Sequence, residues 1–254
     1  MKKIELLYMV GLYFYIFLWS IFYKVSCISL ILTFIPLFFM YKYDFLYRMR
    51  KKECFANCFL DKNSWLYLFF TRKLFVILGS IIFLLIMTVS LFFSFIFFDN
   101  IQKLVLFIDI FILYFIYKRV KFEFLNAEIK EIFKINVVST INAGLLLVIF
   151  LLIALLSPVP NFVANDLSVT LTNYSSNFND IHCYYFKALI KYLADFYAFS
   201  WWLFSNMFVN IIHTYLIKII LTIIFLTGGW FVFYAYSRFL LILMNFLKDF
   251  KNGK

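Results

Sequence analysis

The chain has 254 residues, of which 65% are hydrophobic and only 15% are charged, and its net charge is +11. A soluble domain of this length has about 25% charged residues, so the composition excludes a water-soluble globular protein. Two charge-free runs, 25 residues at 74–98 and 31 residues at 135–165, are longer than the roughly 20 apolar residues that cross a bilayer as a helix. We therefore predict an all-α fold, a polytopic integral membrane helical bundle in contact with the lipid bilayer.

Charged and turn residues divide the chain into about six predicted transmembrane helices, which together form a single domain over residues 1–254. The predicted spans are 4–23, 25–41, 74–98, 101–117, 137–157 and 216–237. An amphipathic cytoplasmic loop, 42–73, follows the second span, and a polar outer loop, 157–195, follows the fifth. The first span begins like a signal peptide but no small-residue cleavage site follows it, so we expect it to be retained.

The segment before the last span has an unusual pattern. No charged residue occurs in 196–217 or in 219–237, and only Lys218 separates the two runs. One helix over both would be about 60 Å long at 1.5 Å per residue, about twice the hydrocarbon thickness of a bilayer. The adjacent Trp201 and Trp202 favour a re-entrant or interfacial helix before the last span, because tryptophan is enriched at bilayer interfaces. A seven-span arrangement is the alternative.

The distribution of basic residues predicts the orientation of the bundle. With the N-terminus in the cytoplasm, 19 of the 24 Lys and Arg residues fall on the cytoplasmic side, as the positive-inside rule requires. An even number of spans then places both termini inside. Because this topology explains the positive charge, we expect no nucleic-acid partner.

The aromatic content bears on the origin of the chain, because 38 Phe and 18 Tyr stand against 6 Gly and 3 Pro. The favoured residues have AT-rich codons, which indicates an AT-rich genome. We therefore expect a multi-pass protein of the bacterial cytoplasmic (inner) membrane, with the mitochondrial inner membrane as the alternative.

The stretch KLVLFIDIFILYFIYKR, residues 103–119, carries Asp109 at the centre of the predicted fourth span. An ionised aspartate in mid-bilayer costs about 2.5–3.5 kcal/mol, and such residues usually face a bundle interior or a water-filled cavity. Asp109 is therefore predicted to hold helices together through hydrogen bonds or, alternatively, to serve in transport or as a proton relay. Lys24 and Lys218 are candidate counter-charges for it.

Two further polar residues are intramembrane candidates. Asn142 lies in the predicted fifth span, where Ser139 and Ala143 form a small-residue face of the kind that lets helices approach closely. His213 lies near the outer end of the last segment, where we expect a hydrogen-bonded packing role.

No catalytic or metal-binding motif is recognisable in the sequence, so we predict a non-enzymatic protein without cofactors. Cys54 and Cys58 lie four residues apart, but two ligands do not complete a zinc site. A disulfide between Cys27 and Cys183 is one interpretation if their compartment is oxidising, whereas four free thiols are the default expectation.

The 42–73 loop combines apolar residues with a cluster of basic ones. Its basic residues Arg48, Arg50, Lys51 and Lys52 are predicted to contact anionic lipid from an interfacial amphipathic helix. Alternatively, they form a docking element for a cytoplasmic partner such as an ATPase.

The predicted layout resembles the permease half of an ABC-2-type exporter, which has six spans, a cytoplasmic helical loop after the second and helices that dip in before the sixth. The first span begins at about residue 4, which leaves no room for the amphipathic entry helix of that family. The resemblance rests on layout alone, and fold does not imply function. It implies a subunit of a transport or export assembly that works with partner proteins.

The second class of function is a structural subunit of a larger membrane complex, such as an organelle-encoded respiratory or ATP-synthase component. Residues 136–147, NVVSTINAGLLL, are similar to a helix of the ATP-synthase a-subunit but have Asn136 where that family has an arginine. The residue usage favours a complex subunit, whereas the topology favours a transport subunit.

Overall fold

The computed structural model describes residues 2–25, 27–59, 61, 63–67, 72–120, 127–208 and 215–251. The regular structure of these residues is helical throughout and contains no strand. The helices are α1 Lys2–Phe22, α2 Ile28–Phe59, α3 Lys73–Phe97, α4 Asn100–Arg119, α5 Ala127–Leu156, α6 Leu167–Ser175, α7 Tyr184–Phe208 and α8 Tyr215–Lys251, with a 3-10 turn at Ser176–Phe178.

Within the described residues, five helices are long and apolar enough to cross a membrane. Their apolar stretches are Ile4–Phe22, Lys73–Phe97, Asn100–Arg119, Phe133–Leu156 and Thr227–Lys248. The predicted all-α, multi-pass character is confirmed to this extent. The predicted second span coincides with α2, whose apolar stretch, Ile31–Tyr41, is shorter than the other five.

Helix α2 does not end where the sequence predicted the second span to end. It continues through residue 41 to Phe59 as one helix of 32 residues, so the first part of the predicted 42–73 loop is helical. The charges that indicated a boundary, Asp44 and Arg48, are paired with each other within the helix at 2.6 Å. A charge that is paired inside the protein need not mark the end of a span.

Helices α3 and α4 form a tight antiparallel hairpin around Asp99. The backbone N–H of Asp99 donates to the side-chain oxygen of Gln102 at 3.0 Å, which is one half of a capping box. The backbone N–H of Lys103 donates to the Asp99 carbonyl at 2.9 Å. Because only two residues separate α3 from α4, the two helices run in opposite directions.

Helix α8 is the central helix of the bundle. Its Thr227–Lys248 stretch is 67% buried inside the protein, compared with 28–33% for the other four apolar stretches. It packs against α1, α2, α3, α5 and α7. The large side chains Tyr236 and Phe239 are fully enclosed, so this helix organises the packing of the others.

Helix α4 runs antiparallel to α1. At one end, Lys118 forms an ion pair with Glu5. Two turns further along α1, the Tyr13 hydroxyl donates to the Lys103 carbonyl at 2.7 Å. Because α3 is the antiparallel neighbour of α4 in their hairpin, α1 and α3 run in the same direction.

Helix α8 runs parallel to α4 and antiparallel to α5. Along α4, the Tyr236 hydroxyl donates to the Leu106 carbonyl at 2.7 Å, and the Tyr117 hydroxyl donates to Asn245 Oδ1 at 3.1 Å. Along α5, Asn142 meets Ser237 at 3.0 Å, whereas the Phe150 ring lies 4.5 Å from the Phe233 ring.

The two ends of the chain lie on the same face of the bundle. Glu5, in the first turn of α1, is within 3.3 Å of Lys248 near the end of α8, and it also pairs with Lys118 at the end of α4. We call this face, which Glu5, Lys118 and Lys248 define, the termini face.

The opposite face carries a small helical cap, formed by α6, the 3-10 turn and α7. Much of the predicted 157–195 loop is helical, and Asp166 caps α6 by accepting from the Ser168 N–H at 2.9 Å, which is a favourable helix start. The cap packs on the end of α3 through aromatic rings, including Phe97 stacked on Tyr197 at 5.3 Å.

The disulfide Cys27–Cys183 ties the cap to the α1–α2 turn. Beside it, the His182 N–H donates to the Lys24 carbonyl at 3.3 Å. The expectation of four free thiols is therefore wrong for this pair, and the alternative interpretation is confirmed. Sequence alone could not decide between the two because 156 positions separate the cysteines.

Candidate functional site in the bundle core

Asp109 and Asn142, both predicted intramembrane candidates, meet inside the bundle. Asp109 is 2% exposed and Asn142 is fully buried. Asn142 Nδ2 donates to Asp109 Oδ2 at 2.8 Å and to Ser237 Oγ at 3.0 Å. The Ser237 hydroxyl in turn donates to the Phe233 carbonyl at 2.9 Å. This cluster joins α4, α5 and α8 at the middle of the α4 stretch.

A second buried cluster contains full charges. Arg238 of α8 is 3% exposed, and its Nη2 lies 2.6 Å from Oδ1 of Asp44, which is fully buried on α2. Nε of Arg48 lies 2.6 Å from the other carboxylate oxygen of Asp44. Two guanidinium groups therefore share one carboxylate, and the cluster carries one unit of net positive charge.

Arg238 also reaches α5. Its Nη1 donates to Asn136 Oδ1 and to the Tyr234 hydroxyl, and the Tyr234 hydroxyl donates to Asn136 Oδ1 at 3.0 Å. The Phe83 ring of α3 lies 4.2 Å from the Arg48 guanidinium carbon and 5.7 Å from that of Arg238. Such contacts with the face of a ring favour a cation, so α3 contributes to holding the charges in place.

The two clusters are continuous along the contact between α5 and α8. Ser237 and Arg238 are consecutive on α8, and Asn136, Ser139 and Asn142 recur every three residues on α5, which places them on one helix face. We call this contact the α5–α8 seam; it consists of Asn136, Ser139 and Asn142 on α5 and Tyr234, Ser237 and Arg238 on α8.

The α5 side of the seam carries unpartnered polar atoms. Among the described residues, no hydrogen-bond partner faces the buried atoms Asn136 Nδ2, Ser139 Oγ or Asn142 Oδ1. An unsatisfied buried polar group costs about 1–3 kcal/mol, and internal water is the usual means by which proteins satisfy such groups. The seam therefore brings three unpartnered polar atoms together on one face of α5, where internal water could satisfy them.

The remaining predicted site residues lie elsewhere. Lys52 is half-buried on α2, whereas the side chains of Arg50 and Lys51 and all of His213 lie outside the described residues. The docking role proposed for the basic residues of this loop stays a prediction, and Arg48 is committed to Asp44 inside the protein. Asp109 accepts from the Asn142 amide. Of the two candidate counter-charges, Lys24 lies at the α1–α2 turn on the cap side, and the side chain of Lys218 lies outside the described residues.

Sequence reasoning missed Asp44, Arg238 and the role of Asn136. Asp44 follows the apolar part of α2 by three residues, and Arg238 directly follows a charge-free run, so both were interpreted as residues outside the membrane. A usable signal was present. With an even number of spans, Asp44 at the end of the second span and Arg238 at the end of the last span lie at the same face of the membrane. Their opposite charges can therefore meet.

The groups in this core are suited to holding or passing a proton or a small ion. The carboxyl group of Asp109 is hydrogen-bonded to an amide, whereas the carboxylate of Asp44 lies between two guanidinium groups. Several hydroxyl and amide groups lie beside them. Within the described part of the chain, no cluster of three or more His, Cys, Asp or Glu residues could hold a metal ion.

These features define an all-helical bundle with a polar centre, in which five helices are long and apolar enough to cross a membrane. No protein-family model, curated protein or solved structure matches the chain. Its function is therefore argued from its own residues.

Proposed function

We propose that the chain is a multi-pass membrane subunit of a transport assembly and that the α5–α8 seam, with Asp109, is its transport path. The observation that carries this proposal is the buried ion pair Arg238–Asp44, continuous with the Asp109–Asn142–Ser237 cluster. Ionisable residues inside spans are costly and usually mark a path for ions or substrates. Well-packed apolar residues often replace a buried ion pair without loss of stability, so packing alone gives little reason for these charges.

The proposal includes a topology in which the chain crosses the membrane six times. Helices α1 and α3 run in the same direction, so the segment between them must bring the chain back across the membrane. Helix α2, at 32 residues, is about 48 Å long at 1.5 Å per residue, which exceeds the roughly 30 Å hydrocarbon core. The contact between Glu5 and Lys248 supports an even number of crossings.

The termini face is proposed to be cytoplasmic and the cap external. The positive-inside rule favours the first assignment. The disulfide Cys27–Cys183 lies on the cap side, and disulfides persist in oxidising compartments. This orientation fits a bacterial inner membrane, with the mitochondrial inner membrane as the alternative.

Helix α7, which precedes the last span, is proposed to lie in the bilayer–water interface on the external side of the membrane. Leu189, Tyr192 and Phe196 are exposed and lie three and four residues apart, which places them on one side of the helix. Lys187 and Lys191 are on the same helix, and apolar, aromatic and basic residues together are typical of interfacial helices.

A partner on the cytoplasmic side belongs to this proposal, as the permease-like layout implies. Trp65, between α2 and α3, is 71% exposed. Large exposed aromatic residues are frequent anchors of protein–protein contacts. The segment between α2 and α3 is the proposed docking element for a motor protein.

A structural subunit of a larger complex is the second candidate. It is favoured by the hydrogen bonds of Asn142 on α5, which donates to Asp109 on α4 and to Ser237 on α8. Polar residues hold transmembrane helices together through bonds of this kind. On this alternative, Asp109 is needed for assembly and for nothing else.

One experiment separates the two candidates. The tagged chain is isolated from its native membrane with the proteins that remain bound, reconstituted into liposomes, and adsorbed on a solid-supported membrane. Concentration jumps of protons, Na⁺, K⁺, phosphate and amino acids are applied one at a time. The preparations compared are wild type, Asp109→Asn and a matched control, Asp180→Asn, in which the same change is made at an exposed position of the cap side.

The transport proposal expects a transient current for at least one jump in the wild type and in Asp180→Asn, and none in Asp109→Asn of unchanged subunit composition. Absence of any Asp109-dependent current overturns it. Loss of bound proteins from the Asp109→Asn preparation, without such a current, supports the structural alternative.

A further inference from the structure

We propose that the species carried along this path is the proton, and that Asp109 is the relay between an inner half-path along the α5–α8 seam and an outer half-path along α4. This inference rests on the proposed transport function and names the substrate of the same site. Five features of the molecule support it: the seam, two tyrosine hydroxyls bonded to α4 carbonyls, the cavity between α1 and α4, the surroundings of Asp109 and the charges at the inner end.

The inner half-path follows the unpartnered atoms of the seam. Asn142 Oδ1, Ser139 Oγ and Asn136 Nδ2 are buried on one face of α5, and the residues span six positions, about 9 Å along the helix axis. Ser139 and Asn142 are fully buried. Ordered water bound by these groups would connect Asp109 with the Arg238–Asp44 pair. Arg48, whose side chain is 28% exposed, brings that end to the surface.

The outer half-path follows two tyrosine hydroxyls on one face of α4. The Tyr236 hydroxyl donates to the Leu106 carbonyl at 2.7 Å, and the Tyr13 hydroxyl donates to the Lys103 carbonyl at 2.7 Å. Lys103, Leu106 and Asp109 recur every three residues, so they lie on one face about 4.5 Å apart along the axis. Two hydroxyl groups therefore lead away from the carboxyl group toward the cap side.

The outer end of this route opens into a cavity between α1 and α4. The cavity has a volume of about 330 Å³ and is lined by Tyr13, Phe14, Phe17, Asn100, Lys103, Leu104 and Phe107. Asn100 and Lys103 lie in the first turns of α4, next to the cap side. Tyr13 thus belongs both to the cavity wall and to the row of hydroxyl groups that leads to Asp109.

Proton transfer at Asp109 requires only O–H bonds to form and break. The carboxylate accepts a proton from water in the seam and becomes the neutral acid. The acid then returns a proton to water on the α4 side, directly or through a tyrosine hydroxyl that releases its own proton to water in the same step. Asp109 accepts from the neutral Asn142 of α5, which also donates to the neutral Ser237 of α8. Tyr236 of α8 is close by and titratable, and the charged Arg238 is paired with Asp44.

The charges along the route disfavour other ions. Arg48, Arg238 and Asp44 give the inner end one unit of net positive charge, which opposes the entry of Na⁺ or K⁺. The Asp109 carboxylate opposes an anion that has passed that point. A proton moves by transfer between water and side chains, so it meets the same positive charge but does not have to lose a hydration shell at either group, as Na⁺ or K⁺ would.

The test measures proton flux directly. Liposomes that contain the chain, with the proteins that remain bound to it, enclose the pH-sensitive dye pyranine. A K⁺ gradient with valinomycin makes the interior negative, and the initial rate of acidification is recorded. We expect wild type and Asp180→Asn to exceed protein-free liposomes, Asp109→Asn to fall to the protein-free rate, and Asp109→Glu to retain part of the flux.

A second variant tests the inner half-path itself. Ser139→Ala removes a hydroxyl that has no described partner and adds no atom to the closely packed contact, so thermal unfolding should change little. The flux should nevertheless fall, because the seam becomes apolar at its centre. Wild-type flux in Asp109→Asn or in Ser139→Ala, or a wild-type rate equal to that of protein-free liposomes, overturns the proposal.

The failure of this inference differs from the failure of the proposed function. If pH jumps are silent but a Na⁺ or phosphate jump gives an Asp109-dependent current, the proton assignment is wrong and the transport function stands. If no jump gives such a current, both are wrong.

Discussion

Arg238 and Asp44, 194 positions apart in sequence, form a buried ion pair with 2.6 Å between guanidinium nitrogen and carboxylate oxygen. The pair attaches α2 to α8 and makes α2 a member of the bundle core, although the apolar stretch of α2 is short. The Asp44 carboxylate binds two arginines, because its second oxygen pairs with Arg48.

Asp44→Asn should destabilise the protein far more than Arg48→Gln. Removing the Asp44 charge leaves Arg238 buried without its counter-ion, and breaking a buried pair in this way costs about 3–5 kcal/mol. Arg48 is partly exposed, so its loss should cost about 1 kcal/mol or less. Unfolding in mixed micelles, followed by tryptophan fluorescence, measures both. The double change Asp44→Leu with Arg238→Leu should recover much of the lost stability, and equal losses in the two single variants would contradict the pairing.

The disulfide Cys27–Cys183 should be detectable by differential alkylation. In the unfolded, unreduced protein, two of the four cysteines should react with a maleimide, and all four should react after reduction. Cys27→Ser should lower stability by about 2–4 kcal/mol, since a crosslink restricts the unfolded chain. Cys58→Ser is the control and should leave the crosslink intact. Reaction of all four thiols before reduction would rule the crosslink out.

Single cysteines should label from opposite sides of the membrane. In a background with Cys54→Ser and Cys58→Ser, Asn179→Cys on the cap side should react with an impermeant maleimide in sealed right-side-out vesicles. Asn63→Cys, between α2 and α3, should react only after permeabilisation. Both positions are exposed. Labelling of both from the outside would refute a return crossing by α2.

Tyr236→Phe should slow proton flux without unfolding the protein. The change removes the hydroxyl that bonds the Leu106 carbonyl and costs about 0.5–1.5 kcal/mol, whereas the ring continues to fill its place. The pyranine assay and a thermal melt separate the two effects. Tyr8→Phe, at a position that is outside the route, is the control. Unchanged flux in Tyr236→Phe would remove this hydroxyl from the outer half-path.

The cap should lose stability in alkali. Burial raises the pKa of Tyr197 from its ordinary value of 10.0 to about 12. Between these values the unfolded chain loses the phenolic proton and the folded chain keeps it, so the free energy of unfolding falls as the pH rises. The thermal stability of the wild type should therefore decline more steeply over this window than that of Tyr197→Phe. Equal slopes would show that Tyr197 is not shielded in the folded protein.

The helical, multi-pass character was predictable because long apolar runs permit few other structures. The site was only partly predictable. Asp109 and Asn142 stood out as polar residues inside apolar runs, and their contact is observed. Asp44 and Arg238 did not stand out, because a charge at the end of an apolar run has the same pattern whether it meets water or a buried partner.

The limits of α2 and α8 differ from those of the predicted spans for a related reason. The sequence placed the end of the last span at residue 237, but the apolar stretch of α8 continues to Lys248. Its one internal charge, Arg238, is neutralised by a residue far away in the chain. A local count of charges contains no information about such long-range pairing.

The central position of α8 has a consequence for biogenesis. This helix supplies the partners of Asp44, Asn142 and Glu5, yet the ribosome makes it after all the helices that it packs against. Until α8 is made, the polar groups of those helices must be hydrated or be covered by the translocon. Loss of α8 through premature termination should therefore leave earlier helices that enter the bilayer but fail quality control, even though most of the chain has been synthesised.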